Sequence, residues 1–190
     1  MNVNNQARKV HKSCEKIWLP TNFTTLHTKI LFGIRRKSLM RVYIVIPTYN
    51  EEAYLEQTLQ SLVEQTITPN KIVIVNDNST DNSQIIIDDF SSKYNYISSV
   101  TNISAAIHEP GSKVINAFNK GLEELDDNFD VVCKFDADLI FPKQYVQSII
   151  SIFKINPACG MAGGFCYILD KNDWKLENPR SIKSLQKGMF

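Results

Sequence analysis

Val131-Val132-Cys133-Lys134-Phe135-Asp136-Ala137-Asp138-Leu139-Ile140-Phe141-Pro142 decides how this chain folds. The run Val131–Phe135 is short, largely apolar and β-branched at its start, the signature of a strand. Asp136 and Asp138 then fall where that strand ends. With one residue between them, both can reach a single hard cation if the backbone turns there. Carboxylates held close repel each other unless a metal or a proton neutralises them. Mg²⁺ and Mn²⁺ take one or two protein carboxylates and leave positions for substrate phosphates. The residues fit a metal–diphosphate site at a strand terminus. A solvated turn fits them as well, and the rest of the chain has to decide between the two.

Working outward, the same unit recurs. Val42-Tyr43-Ile44-Val45-Ile46-Pro47 is a continuous apolar strand of the kind buried on both faces. It ends at Thr48-Tyr49-Asn50, where Asn50 reads as a helix N-cap with Glu51 and Glu52 in the first turn. Leu55, Leu59, Leu62 and Val63 mark one face of that helix. Lys71-Ile72-Val73-Ile74-Val75 is a second strand and runs into the capping residues Asn76-Asp77-Asn78-Ser79-Thr80-Asp81. A helix through Gln84–Ile87 follows, then a third strand near Ile97–Val100. The turn Glu109-Pro110-Gly111-Ser112 leads to a helix at about Lys113–Leu125, with Val114, Ile115, Phe118 and Leu122 on its apolar side. After the Asp136 strand, Pro142 suits the first turn of a helix buried through Tyr145, Val146, Ile149, Ile150 and Phe153. Cys159–Leu169 reads as one or two strands around a glycine-rich bend. This alternation is an α/β fold with a Rossmann-like, mostly parallel sheet flanked by helices.

Composition sets the bounds. The chain has 190 residues, 43% of them hydrophobic, and a net charge of +1. That is one domain or a piece of one, with no global field to favour nucleic acid. The average hides an asymmetry, because the first 40 residues carry eight Lys/Arg and a single acid, Glu15. Residues 1–40 are expected to form a basic, disordered extension, 41–170 the folded domain, and 171–190 an irregular tail. Arg35-Arg36-Lys37 and its neighbours suit peripheral attachment to an anionic membrane surface. Met40, just ahead of the first clear strand, is an alternative translation start. No run approaches the roughly 20 apolar residues of a membrane span, and the start lacks a signal-peptide core. Cys14, Cys133, Cys159 and Cys166 show no zinc or Cys-x-x-Cys spacing and read as reduced thiols. The expected location is cytoplasmic, with the inner membrane face as a further option.

Ligands of open α/β sheets bind outside the carboxyl ends of the strands. Three such ends carry suggestive groups: Pro47-Thr48-Tyr49-Asn50, Asp77 with Ser79, and Asp136 with Asp138. Lys113 adds a cation at a helix start near enough in topology to reach a phosphate. Asp77, Ser79 and Asp81 would serve equally as a helix-capping cluster.

The blocks Val-Ile-Pro-Thr-Tyr-Asn-Glu at 45–51, Ile-Val-Asn-Asp-Asn-Ser-Thr-Asp at 74–81, Gly-Ser-Lys-x-x-Asn-Ala-x-Asn-Lys-Gly at 111–121 and Asp-Ala-Asp at 136–138 resemble the family 2 glycosyltransferases of the GT-A fold in order and spacing. The resemblance covers roughly residues 41–169, the nucleotide-sugar half of such enzymes. It implies a nucleotide-diphospho-sugar donor, UDP- or dTDP-linked, a saccharide or lipid-linked acceptor, and inversion at the anomeric carbon. Thr48 and Tyr49, following Pro47, would line the nucleoside pocket with Glu51 close by. Asp77 would accept a hydrogen bond from the base, most naturally uracil or thymine N3–H, with Ser79 also among the donor-binding residues. Lys113 would approach the base or diphosphate, Asp136 the ribose or the metal, and Asp138 would ligate Mg²⁺ or Mn²⁺.

The pattern departs at the end of the chain. The family's general base is an acid well downstream, in a motif that opens a helix. Here only Asp170, Asp173 and Glu177 follow Leu169, in a loop-like context. The acceptor half is expected to be incomplete. A truncated chain that binds donor without transferring it is therefore the competing expectation. A haloacid-dehalogenase-type phosphatase is disfavoured, because its Asp-x-Asp ends the first strand. A nicotinamide dehydrogenase lacks its G-x-G-x-x-G here.

Overall fold

A computed structural model describes residues 8–11, 40–102, 112–171 and 173–177. The elements in chain order are β1 (Arg8–His11), β2 (Val42–Thr48), α1 (Leu55–Val63), β3 (Lys71–Asn76), α2 (Ser83–Lys93) and β4 (Ile97–Thr101). There follow α3 (Ser112–Glu123), β5 (Val131–Lys134), β6 (Leu139–Ile140), α4 (Tyr145–Ile155), β7 (Phe165–Asp170) and β8 (Asp173–Leu176). The main sheet has the order β4-β3-β2-β5 and is parallel throughout. Its carboxyl ends therefore share one edge, as expected. The central strands β2 and β3 are continuous apolar runs because helices cover both faces.

Two cores result from the alternation of side chains along each strand. Val42, Ile44, Ile46, Ile72, Ile74, Val131 and Cys133 face α1, α2 and α4 in the larger one. Val45, Val73 and Val75 face α3 in the smaller one, which Ala117 completes. Leu55, Leu59 and Leu62 of α1 are fully buried. Truncating one of them to Ala would cost about 2–5 kcal/mol.

Helix α3 corrects one expectation. Val114 and Ile115 are exposed, and the helix seats on the sheet through Ala117 and Gly121, with Phe118 and Leu122 half-buried beside them. A Cβ on Gly121 would lie 2.3 Å from a Val45 methyl and 2.8 Å from one of Val75. The small residues let the helix backbone approach the sheet, and its larger apolar side chains are left at the margins.

Three more details differ from the sequence reading. Helix α1 begins at Leu55, and Asn50 is not its cap but a left-handed residue with φ 54°. Pro142 lies just outside α4, its carbonyl accepting from the Tyr145 N–H. The stretch 159–169, read as one or two strands, supplies one, β7, after the Gly160–Gly164 segment, in keeping with that reading. Residues 171–190 are not irregular throughout, because β8 pairs antiparallel with β7 across a turn where Lys171 has φ 48°.

The first 40 residues also contribute a strand. β1 lies between β6, with which it pairs parallel, and β7, with which it pairs antiparallel. A second sheet of order β6-β1-β7-β8 results. The basic Arg35–Lys37 segment, His27, His108, the Glu109–Gly111 turn and residues 178–190 lie outside the described residues. Among the described residues, no helix is long and apolar enough to cross a membrane, and Cys133, Cys159 and Cys166 are free thiols.

Candidate functional site

Asp136-Ala137-Asp138 links the two sheets, leaving β5 of the first and entering β6 of the second. Ala137 is buried between the two acids, with Asp136 exposed and Asp138 half-buried. The turn is held from below by α1. The Thr58 hydroxyl donates to the Ala137 carbonyl at 2.7 Å, and the Phe141 N–H donates to the Ser61 hydroxyl at 3.0 Å. The Gln65 amide donates to the Pro142 carbonyl and accepts from the Val146 N–H, both at 2.9 Å. The buried rings of Phe135 and Phe141, with centroids 4.4 Å apart, clamp the turn on its two sides. The carboxylates thus sit on a fixed backbone, which sequence reasoning had not anticipated. Its signal was the set Thr58 and Ser61, on the same helix as the buried leucines, with Gln65 two residues past its end.

The register places the other candidates beside them. Thr48 stands opposite Asn76 at the ends of β2 and β3, and Asn76 opposite Thr101 at the end of β4. Lys134 stands opposite Val45, so β5 ends short of Thr48 and the chain continues through Asp136 along the same edge. Asp77 follows β3, on the far side of β2 from β5. With neighbouring strands about 4.8 Å apart, the acids of the two strand ends are separated by roughly 10 Å of sheet edge.

Asp77 is only 8% exposed. Its N–H donates to the Thr48 carbonyl at 2.9 Å, and its Oδ1 accepts from the Asn102 amide at 2.8 Å. The Asn102 N–H in turn donates to the Asn76 carbonyl at 2.8 Å. Asn102, one residue past β4, was not singled out from sequence; a lone Asn after a strand gives no signal of its partner. Pro47 is half-buried within β2, and Thr48 is buried with its hydroxyl turned back to the Ile46 carbonyl. Tyr49, 58% exposed, presents its ring at the sheet edge. Lys113 is half-buried in the first turn of α3.

Ser79, Asp81 and Glu51 belong to one network. The Asn50 N–H donates to Ser79 Oγ, the Glu51 N–H to the buried Ser83 Oγ, and the Glu52 N–H to an Asp81 oxygen, at 2.9–3.0 Å. The reverse bonds run from the Thr80 N–H to Asn50 Oδ1 and from the Asn82 N–H to a Glu52 oxygen. The loops after β2 and β3 are laced together, and the left-handed Asn50 is what lets its side chain cross. Burial pushes the Asp81 carboxyl up, but bonds from the Ser83 hydroxyl and the Glu52 and Ser83 N–H groups outweigh it. The net effect holds this acid below its usual range. The cluster expected to cap α2 mainly ties two loops together, and Ser79 serves that tie.

Two hard carboxylates, Asp136 and Asp138, are the donor set that Mg²⁺ or Mn²⁺ uses when phosphate oxygens and water complete the shell. Among the described residues no three His, Cys, Asp or Glu side chains converge as a closed metal cage. The residues fit an ion shared with a ligand. A cavity of about 670 Å³ runs along the open side of β5, with Asp136, Lys134 and Phe118 on one wall and Gly160–Gly164, Cys166 and Glu177 among its remaining lining. Cys133 also lines it, its thiol pushed up to about 12 by burial and so inert near neutrality.

The family model for glycosyl transferase family 2 matches residues 43–189. The probable glycosyltransferase YdaM of Bacillus subtilis (strain 168) is 37% identical over 119 residues, 60% of this chain and 26% of that protein. The dTDP-rhamnosyl transferase RfbG of Shigella flexneri is 32% identical over 112 residues, 58% of this chain and 37% of that one. The chain thus spans between about a quarter and two fifths of these relatives. Among solved structures, S. aureus TarS 1–349 superposes with a TM-score of 0.51 at 24% identity, over 62% of this chain and 33% of that one. The mannosyltransferase PcManGT from Pyrobaculum calidifontis, in complex with GDP-Man and Mn²⁺, gives a TM-score of 0.52 at 21% identity over the same shares. These two likenesses are of fold, and the fold is the expected GT-A type.

Proposed function

The chain belongs to glycosyl transferase family 2, and from that premise we propose that its sheet edge binds a nucleotide-diphospho-sugar donor for glycosyl transfer. The donor is UDP- or dTDP-linked, the acceptor a saccharide or a lipid-linked saccharide, and the anomeric centre is inverted. One observation carries this reading: Asp77 and the Asp136–Asp138 turn follow two strands of one parallel sheet, β3 and β5, whose ends lie about 10 Å apart across β2. That separation suits a base at one acid and a diphosphate at the other.

Asp77, oriented by Asn102, accepts the imide N–H of uracil or thymine. Tyr49 packs against the nucleoside, with Pro47, Thr48 and Glu51 forming the adjoining wall and Ser79 fixing its loop. Asp136 and Asp138 hold the diphosphate through Mg²⁺ or Mn²⁺, and Lys113 approaches from α3. A divalent ion there supplies electrostatic stabilisation of the diphosphate leaving group. An Mn²⁺ complex of a fold neighbour supports the choice of ion class.

Transfer also requires a base to take the acceptor proton. Glu177 is the downstream carboxylate that lines the cavity with Asp136. It stands one residue past β8 with its N–H donating to the Cys166 carbonyl at 2.9 Å, tied to the hairpin, and a second reading is donor binding without transfer. A transfer assay separates the two readings: turnover supports the first, and donor binding without turnover the second. The donor site itself is tested by calorimetry with UDP and GDP. UDP is expected to bind more tightly, and Asp77→Ala to weaken UDP by about 1–3 kcal/mol through loss of a buried hydrogen bond. Equal affinity of wild type and variant for UDP would remove Asp77 from the base subsite.

A further inference from the structure

Lys134 is the last residue of β5, and its Nζ lies 2.5 Å from Asp136 Oδ1. Side-chain alternation explains the pairing. Val131 and Cys133 point into the larger core, while Val132 packs on the α3 side. Lys134 continues the Val132 face, and Asp136 follows two residues on. Its register neighbour Val45 is fully buried in the α3-side core. The lysine stem therefore leaves an apolar patch and carries the ammonium to the sheet edge, the usual way a long cationic side chain resolves such a position.

We propose that Lys134 is a positioning residue that couples metal to donor: it is the counter-cation of Asp136 without a divalent ion, and it yields the carboxylate when ion and diphosphate arrive together. The inference rests on the reading of Asp136 and Asp138 as the metal–diphosphate pair. The physics is a competition between charges. An ammonium on Asp136 relieves the repulsion between the two acids. An ion binding alone must displace it and then sit beside a like charge, which lowers metal affinity in the absence of nucleotide. A diphosphate brings the negative charge that compensates both cations, and the released ammonium remains on the face where the diphosphate lies. Lys134 thereby makes the two ligands bind better together than apart, a coupling between sites in the thermodynamic sense.

The test uses the full chain and does not depend on turnover. Free Mn²⁺ is measured by its EPR signal during titration of wild type, Lys134→Met and Lys134→Arg without nucleotide. Removing one exposed positive charge beside the ion should tighten Mn²⁺ by about three- to tenfold. The arginine variant should stay near wild type, and the gain should shrink as salt screens it. In metal-free buffer the methionine variant should bind UDP more weakly than wild type. These opposite signs are what a merely structural lysine would not produce, and circular dichroism checks that the variants fold. Unchanged or weakened Mn²⁺ binding in Lys134→Met overturns the inference. Adding Asp138→Ala separates it from the underlying reading. Tightening by Lys134→Met that survives Asp138→Ala keeps Lys134 opposite Asp136 but removes Asp138 as a ligand. No Mn²⁺ binding to any of these proteins overturns both.

Discussion

Asp81 illustrates how a single side chain fixes a loop. Its carboxylate accepts from two backbone N–H groups, those of Glu52 in one loop and Ser83 at the start of α2. Because the folded-state pKa lies below the ordinary value of 3.8, the charged form is the one that stabilises the fold. Its contribution is present above the unfolded value and is lost as pH falls through the folded one. Asp81→Asn is therefore expected to lower stability at pH 7 and to differ less from wild type as pH drops below about 3.8. Urea denaturation across that range checks it, and a difference that does not change with pH would assign the effect to shape alone. Sequence reasoning picked out Asp77, Ser79 and Asp81 as polar residues past a strand, since capping side chains are recognisable by type. It could not see that Ser79 and Asp81 serve the neighbouring loop 29 residues away in sequence. Asn50 was misread for the same reason: its local context resembles an N-cap, while its bond to Thr80 demands a left-handed backbone.

Strands and helices were legible where burial is simple. β2 and β3 are covered on both faces, so their apolar runs are unbroken and their limits are plain in the sequence. α3 was misassigned because its contact face consists of Ala117 and Gly121, whose burial comes from close backbone approach and leaves no hydrophobic stripe. β1 and β8 were obscure, and the partners of β7 with them, because pairing among short strands is a tertiary choice that local pattern does not specify. α1 has a double duty, packing its leucines on the sheet and bracing the Asp136–Asp138 turn through Thr58 and Ser61, with Gln65 just past its end adding to the brace. Thr58→Val preserves shape but leaves the Ala137 carbonyl unmatched. A loss of about 1–3 kcal/mol of stability is expected by chemical denaturation. A parallel drop in UDP affinity measured with Mn²⁺ present should accompany it. Lost stability with intact UDP binding would show that the turn does not need its brace.

Over the whole molecule, one parallel sheet gathers residues from 47 to 138 onto a single edge, and the Asp136–Asp138 turn leads from that sheet into the second. The order of the strands, with β2 between β3 and β5, sets Asp77 and Asp136 apart along one edge, the proposed base and diphosphate ends of the site. That gathering was legible, because parallel connections put every carboxyl end on the same side. The second sheet was not, since it joins a strand from the first dozen residues to β6 and β7. We propose that the two ends act as one nucleotide-diphosphate site completed by a divalent ion on Asp138. Calorimetry of UDP binding to the full chain, with and without Mn²⁺, tests it most directly. The account predicts that Mn²⁺ tightens UDP binding in wild type and that Asp138→Ala abolishes the gain. Equal UDP affinity with and without Mn²⁺ in wild type would contradict it.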